Sequence, residues 1–224
     1  MSSISQNIIT IKKQLPAHVR LVAVSKFNPQ ESIQEAYDCG QRVFGESHAQ
    51  ELVPKAEHLP KDIQWHFIGH LQTNKVKYIV PYVSLIHGVD SFKLLSEIDR
   101  QAAKISRQIV CLLQFHIAQE QTKYGFSLAE CEQMLQSQSY KQLQNIRLAG
   151  VMGMATDTED INQVRYEFRS LKEKFDYLKT HYFSNQDDFC EISMGMTHDY
   201  SIAIEEGSTL VRIGSGIFGE RMYQ

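Results

Sequence analysis

The chain has little of what marks several protein classes. Its 224 residues include five prolines and one tryptophan, too little proline for a Pro-rich linker or low-complexity tail. The four cysteines, Cys39, Cys111, Cys131 and Cys190, form no Cys-x-x-Cys pair, and that spacing excludes a zinc ribbon or a thioredoxin-type redox motif. Cys111 sits in Val110-Cys111-Leu112 and Cys190 beside Phe189, so buried free thiols in a reduced compartment are expected rather than a disulfide framework. No charge sign dominates: 23 Lys and Arg against 26 Asp and Glu give a formal charge of −3. Such a balance excludes a basic nucleic-acid footprint and a polybasic membrane patch. No apolar run nears the roughly 20 residues a membrane helix needs. The start, Met1-Ser2-Ser3-Ile4-Ser5, lacks the charged region and apolar stretch of a secretory signal. These absences predict a cytoplasmic globular protein.

A 42% hydrophobic and 22% charged composition is that of a packed domain. Short apolar runs alternate with longer amphipathic segments along the chain. Eight runs read as strands: 21–25, 42–45, 64–68, 85–89, 109–115, 148–152, 189–193 and 210–213. Several are almost continuously apolar, the mark of strands covered on both faces in a parallel sheet. Helix-start signals follow them at Asn28-Pro29, Asp90-Ser91, Thr158-Glu159-Asp160 and Thr197, and Gly40 stands where a helix would end. Repeated β-α units require parallel pairing through right-handed crossovers. The expected fold class is therefore α/β, a single-domain (β/α)8 TIM-type barrel, with an open doubly wound sheet as the competing arrangement. Little chain follows the eighth strand, and Ile4, Ile8, Ile11 and Leu15 make an apolar helical stripe before the first. An extra N-terminal helix over 4–14 is thus expected to supply the missing cover.

The residues with chemical potential fall at strand ends. Lys26 closes Leu21-Val22-Ala23-Val24-Ser25, at the carboxyl face where barrels bind ligands. An amine in a partly desolvated site is a Schiff-base nucleophile, although a strand-end lysine can equally reach water. Strand eight runs into Gly214-Ser215-Gly216 and strand seven into Ser193-Met194-Gly195-Met196, and glycine turns after these two strands suit a phosphate. Arg212 lies among apolar neighbours in strand eight; pointing inward, it needs an acceptor, and pointing outward, a carboxylate.

Taken together, Leu21-Val22-Ala23-Val24-Ser25-Lys26, Phe44-Gly45-Glu46, Trp65-His66-Phe67-Ile68-Gly69-His70-Leu71-Gln72-Thr73-Asn74-Lys75, Ser193-Met194-Gly195-Met196 and Val211-Arg212-Ile213-Gly214 resemble the pyridoxal phosphate homeostasis proteins. The resemblance implies the fold-type III barrel of alanine racemases and pyridoxal 5′-phosphate as cofactor, held on Lys26 as an internal aldimine. It implies that Ser193, Gly214 and Ser215 grip the phosphate and that Arg212 faces the pyridine nitrogen. A cation there disfavours protonating that nitrogen and weakens the ring as an electron sink. Two positions depart from the family pattern: Ser47 replaces the usual Asn, and Ser215 replaces a common Thr. Lys123 matches a second family lysine and also reads as a solvated loop residue.

Other candidates have plainer readings. His66 and His70 are spaced like zinc ligands, but they straddle a strand and the Gly69 turn, where that spacing shares no face. They read as a core and a loop histidine, with no metal expected. Met152, Met154, Met194 and Met196 are core residues or ring-packing ones. The resemblance implies a non-catalytic carrier acting in intracellular vitamin B6 homeostasis, with pyridoxal-phosphate-dependent enzymes as transient recipients. The alternative is an amino-acid racemase, which needs an acid/base group on each face of the α-carbon. That second group comes from an additional domain in the racemases, and the chain ends soon after strand eight, so the carrier is expected. No coiled coil or long apolar stripe calls for a second copy, and a monomer is expected.

Overall fold

The computed structural model describes residues 3–120 and 124–219. Eight parallel strands close in sequence order into one barrel: β1 Arg20–Val24, β2 Val43–Glu46, β3 Gln64–Phe67, β4 Val83–Val89, β5 Ile109–Gln114, β6 Ile146–Met152, β7 Glu191–Ser193 and β8 Leu210–Ile213. The helices are α1 Ser3–Gln14, α2 Gln30–Asp38, α3 Ala49–His58, α4 Val76–Ile79, α5 Phe92–Ala103, α6 Leu128–Gln136, α7 Gln138–Lys141, α8 Ile161–His181, α9 Tyr200–Glu205 and α10 Ser215–Phe218. All eight expected strands form, and the barrel replaces the open-sheet alternative. Among the described residues, no helix is long and apolar enough to cross a membrane.

Local chemistry sets the helix ends. Ser91 accepts from Leu94 N–H, Asp160 accepts from Asn162 and Gln163, and Ser127 with Glu130 makes a reciprocal capping box. Such caps satisfy N–H groups that lack partners inside the helix. Gly40, at φ +84°, ends α2: its N–H donates to Tyr37 O and the Gln41 N–H to Ala36 O, the paired bonds of a Schellman motif. Pro29 stands just before α2, as its N-cap. In α8, Val164, Phe168, Leu171, Phe175 and Leu178 are buried, a stripe at helical spacing against the barrel.

Two apolar layers result. The larger lies between strands and helices, and the smaller, inside the barrel, comprises Val22, Leu85, Leu112, Ala149, Met152 and Leu210. Two residues further toward the carboxyl end, the same strands carry His87 after Leu85, Gln114 after Leu112 and Arg212 after Leu210, all buried. Strand alternation keeps these on the inward face, so the interior changes from apolar to polar on approaching the mouth. A register shift opposite Cys111/Leu112 adds a residue to β6. It falls at Gly150, where φ is +152° and a Cβ would sit 1.8 Å from Glu191 O. Only glycine fits there.

Three expectations are corrected. Thr197 does not cap a helix: α9 starts at Tyr200, because Asp199 Oδ1 accepts from Met196 N–H and closes a turn across 197–199. Cys190 is exposed, since β7 begins one residue later; its neighbour Phe189 is buried, stacked on Phe183 and Phe175 at 4.0 and 5.3 Å between centroids. Strand eight does have a cover of its own, the single turn α10. Helix α1 packs onto it, with Asn7 Nδ2 donating to Ile217 O at 3.0 Å.

Candidate functional site

Strands β1 and β8 lie side by side, with Val22 opposite Arg212. Lys26 follows Val22 and Val24 on the inward parity and is half-buried just past the end of β1. Its flanks are fixed to the scaffold: Ser25 N–H donates to Gly45 O at 3.0 Å, and Asn28 Nδ2 donates to Lys26 O at 3.1 Å. Gly214 is adjacent, and a Cβ there would lie 3.3 Å from Val24 Cβ, so the turn after β8 presses against the end of β1.

Arg212 points into the barrel and is 4% exposed, which settles its direction. It donates through Nη1 to Ser193 Oγ at 2.6 Å and through Nη2 to Gly153 O at 3.2 Å. Both acceptors are neutral, and among the described residues no carboxylate stands at ion-pair distance. Burial pushes the guanidinium down to about 10, opposed only by the field of Asp199. Ser193 Oγ also contacts His87 Nδ1 at 2.8 Å, and His87 Nε2 contacts His66 Nδ1 at 2.9 Å. A continuous buried polar chain therefore runs from β8 through β7 and β4 to β3.

A second set lies at the rim. Ser215 Oγ donates to Thr197 Oγ1 at 3.2 Å. Gly216 packs closely here, since a Cβ would meet Ile213 at 3.0 Å and Thr197 at 3.3 Å. Gly195, at φ +92°, leaves no room for a side chain beside Ala203. These glycines bring the hydroxyls of Thr197 and Ser215 together with the first N–H groups of α10, which have no partner within the helix.

Of the five residues singled out from sequence, the structure joins Ser193 to Arg212 inside the barrel and places Gly214 and Ser215 with Thr197 at the rim. Lys26 stands at the neighbouring strand end. Lys123 lies outside the described residues. His70 is a loop residue, paired with Asp90 at 3.2 Å and stacked on Tyr124 at 3.9 Å. Met152 and Met194 are core, Met154 is half-buried, and Met196 is 40% exposed. Ser47 packs its backbone on Gly69. Sequence reasoning missed His87, the Gly153 carbonyl, and an ionic group of buried Glu46 and Lys55 with half-buried Glu51. The usable signal was a histidine on the buried parity of an apolar strand; the Glu51-Lys55 pair on α3 reads locally as a solvated ion pair.

The histidine pair gives a pH prediction. Burial pushes His66 from 6.5 down to about 3, and it pushes His87 well below its ordinary value. Below pH 6.5 the unfolded chain binds protons that the folded one refuses, so stability falls with pH. From pH 7 to 5 His66 alone removes about 2 kcal/mol, and His87 acts in the same direction. Glu46 and Asp199, both raised by burial, act in the opposite sense. Urea unfolding of the cofactor-free protein at pH 7, 6 and 5 is expected to show this loss. A His66→Asn/His87→Asn variant is expected to show a flatter dependence; an equal slope would refute the assignment.

The alanine racemase N-terminal domain family model matches residues 1–222. The pyridoxal phosphate homeostasis protein of Aquifex aeolicus is 41% identical over 206 residues, covering 91% of this chain and 88% of the relative. That of Vibrio alginolyticus is 36% identical over 238 residues, covering all of both chains. PipY of Synechococcus elongatus, solved with PLP bound, superposes with a TM-score of 0.87 at 33% identity, covering 96% of this chain and 100% of that one. An alanine racemase of E. faecalis shares the fold, with a TM-score of 0.71 at 14% identity. With this sequence similarity along its length and the same barrel, the chain belongs to the pyridoxal phosphate homeostasis proteins, within the alanine racemase N-terminal domain family.

Proposed function

We propose that this protein binds pyridoxal 5′-phosphate, carries it covalently on Lys26, and serves in cofactor homeostasis and supply to other enzymes. The observation that carries the reading is Arg212: a buried guanidinium with only neutral partners, inside the barrel on the strand next to Lys26. Two of its five N–H donors are engaged by Ser193 and Gly153, leaving donors for an acceptor such as a ring nitrogen. The names of the relatives and the ligand of PipY support the same cofactor.

The residues present fit the group. Lys26 offers an amine at the mouth, and Gly214, Ser215 and Thr197 offer a close-packed turn with hydroxyl and backbone donors for a phosphate. Ser193, fully buried and engaged by Arg212 and His87, serves by orienting the guanidinium. When bound, the cofactor supplies a reactive aldehyde. Lys26 would hold that group through its amine, which can condense with an aldehyde and release water. Arg212, with neutral partners only among the described residues, would face the ring nitrogen, and a cation there would disfavour its protonation.

Borohydride reduction of the cofactor-loaded protein, followed by peptide mass analysis, tests this. The expected result is one pyridoxyl group per chain, on Lys26. A protein that gains no pyridoxal absorbance on titration, or that traps the group mainly elsewhere, would overturn the reading. Deuterium exchange at the α-carbon of alanine or serine is expected to stay at background; sustained exchange lost in Lys26→Ala would favour the enzyme.

A further inference from the structure

Both chain neighbours of Lys26 are tied to one buried ionic group that the proposed chemistry does not use. Lys55, on the inner face of α3, has a side chain 7% exposed, and Glu46, at the end of β2, is fully buried. The Lys55 ammonium donates to Ser25 O at 2.9 Å, Glu46 Oε1 at 2.8 Å and Glu51 Oε2 at 3.1 Å. An ammonium has three donors, and all are spent. Ser25 Oγ donates to the same Glu46 oxygen at 2.7 Å. On the other side of Lys26, Phe27 N–H donates to Glu51 Oε2 at 2.6 Å, while His48 Nδ1 meets Glu51 Oε1 at 2.9 Å.

Two features give this group a purpose beyond cohesion. A buried ion pair is a poor source of stability compared with apolar residues of similar volume, and Glu46 Oε2 is buried with no hydrogen-bond partner among the described residues. Phe27 sits at φ +64° and is 61% exposed. The left-handed region is costly for a residue with a bulky side chain, and such strain persists where surrounding contacts impose it. Here Phe27 N–H donates a charge-assisted hydrogen bond to Glu51, and the Phe27 ring lies 5.4 Å from that of His48. Ser25 turns its hydroxyl to Glu46, so fixing Ser25 and Phe27 fixes the backbone on both sides of Lys26.

We propose that Glu46, Glu51 and Lys55 form a clamp of positioning residues that holds the strained Ser25–Phe27 turn and thereby aims the Lys26 amine into the barrel mouth. The clamp rests on the reading of Lys26 as the cofactor-bearing residue. It acts through that residue and touches no ligand itself.

The test uses the full chain, pyridoxal 5′-phosphate titration followed by absorbance, borohydride trapping, and amide hydrogen exchange across residues 25–28. Glu51→Ala removes the acceptor of Phe27 N–H at a half-buried site. The expected result is faster exchange at Phe27 and about a tenfold rise in the half-saturating cofactor concentration, since small misplacements of a reacting group are costly. Glu51→Gln keeps an acceptor oxygen and is expected to restore both within about twofold. Should Glu51→Ala fail to fold, Ser25→Ala, which deletes only the hydroxyl bond to Glu46, is expected to shift binding in the same direction. Wild-type binding by Glu51→Ala despite faster exchange would overturn the clamp, as would equal impairment of the Gln and Ala variants. If wild-type Lys26 itself is not trapped, the underlying reading falls first and the clamp with it, an outcome visible before any variant is made.

Discussion

Lys26→Ala is expected to lose all borohydride-stable pyridoxyl label and to bind the cofactor at least about 100-fold more weakly, since the linkage is the one covalent contact. Lys26 lies past the last residue of β1, is half-buried and belongs to neither apolar cluster. Stability is expected to stay within about 1 kcal/mol of wild type, as for exposed or loop substitutions. Lys26→Arg sharpens the test. Arginine keeps the positive charge and the reach, but its guanidinium stays protonated and cannot act as the nucleophile. If attraction between a cation and the phosphate were the main contribution, Lys26→Arg would bind nearly as well as wild type. On the covalent reading it behaves like Lys26→Ala. Absorbance titration and peptide mapping of both variants separate the two. Full labelling of Lys26→Ala at another lysine would move the linkage there and remove the basis for the clamp.

The fold was legible because barrel strands are covered on both faces. Runs such as Leu85-Ile86 and Val110-Cys111-Leu112-Leu113 are apolar without alternation, as strands covered on both faces are, and the pairing of β1 with β8 decides for the barrel over the open sheet. The errors fell where tertiary partners override local signals. Thr197 has the residue type of a cap, yet Asp199 took the turn and Thr197 paired with Ser215, a partner 18 positions away. Cys190 looked buried beside Phe189, but a strand start one residue later left it outside the core.

The site was legible in part for the same reason. Lys26, Gly214 and Arg212 stand at strand ends, where barrel geometry alone predicts function. His87 is different. Its relation to Ser193 spans 106 positions and its relation to His66 spans 21, and only the register of β3, β4 and β7 brings them together. Lys55 is more deceptive. With Glu51 four residues before it, the pattern reads as a solvated ion pair on a helix surface. That face turns inward because Glu46 and the Ser25 carbonyl provide acceptors there, which no local pattern encodes.

Arg212→Met is expected to weaken cofactor binding about 100-fold, the upper range for losing a hydrogen bond from a charged donor in a buried site, while leaving the cofactor-free protein nearly as stable as wild type. The two halves of this expectation have one cause. Burial already disfavours the Arg212 charge, pushing it down to about 10, and the field of Asp199 offsets only part of that cost. Replacing such a buried cation by a flexible apolar chain of similar length is often neutral or stabilising. The opposing loss is at Ser193 Oγ and Gly153 O, which forfeit their donors; Ser193 keeps His87 as a partner at 2.8 Å, so the deficit is limited. Net stability is expected to change by no more than about 2 kcal/mol, the scale of one unsatisfied buried polar group. Arg212→Lys is expected to fall between, since an ammonium keeps the charge but cannot bond Ser193, Gly153 and a ligand acceptor in one plane. Urea unfolding of the cofactor-free proteins and absorbance titration of the same samples measure both halves. A variant that unfolds yet binds normally when stabilised would make Arg212 a structural residue; one that is stable and binds normally would remove it from the site.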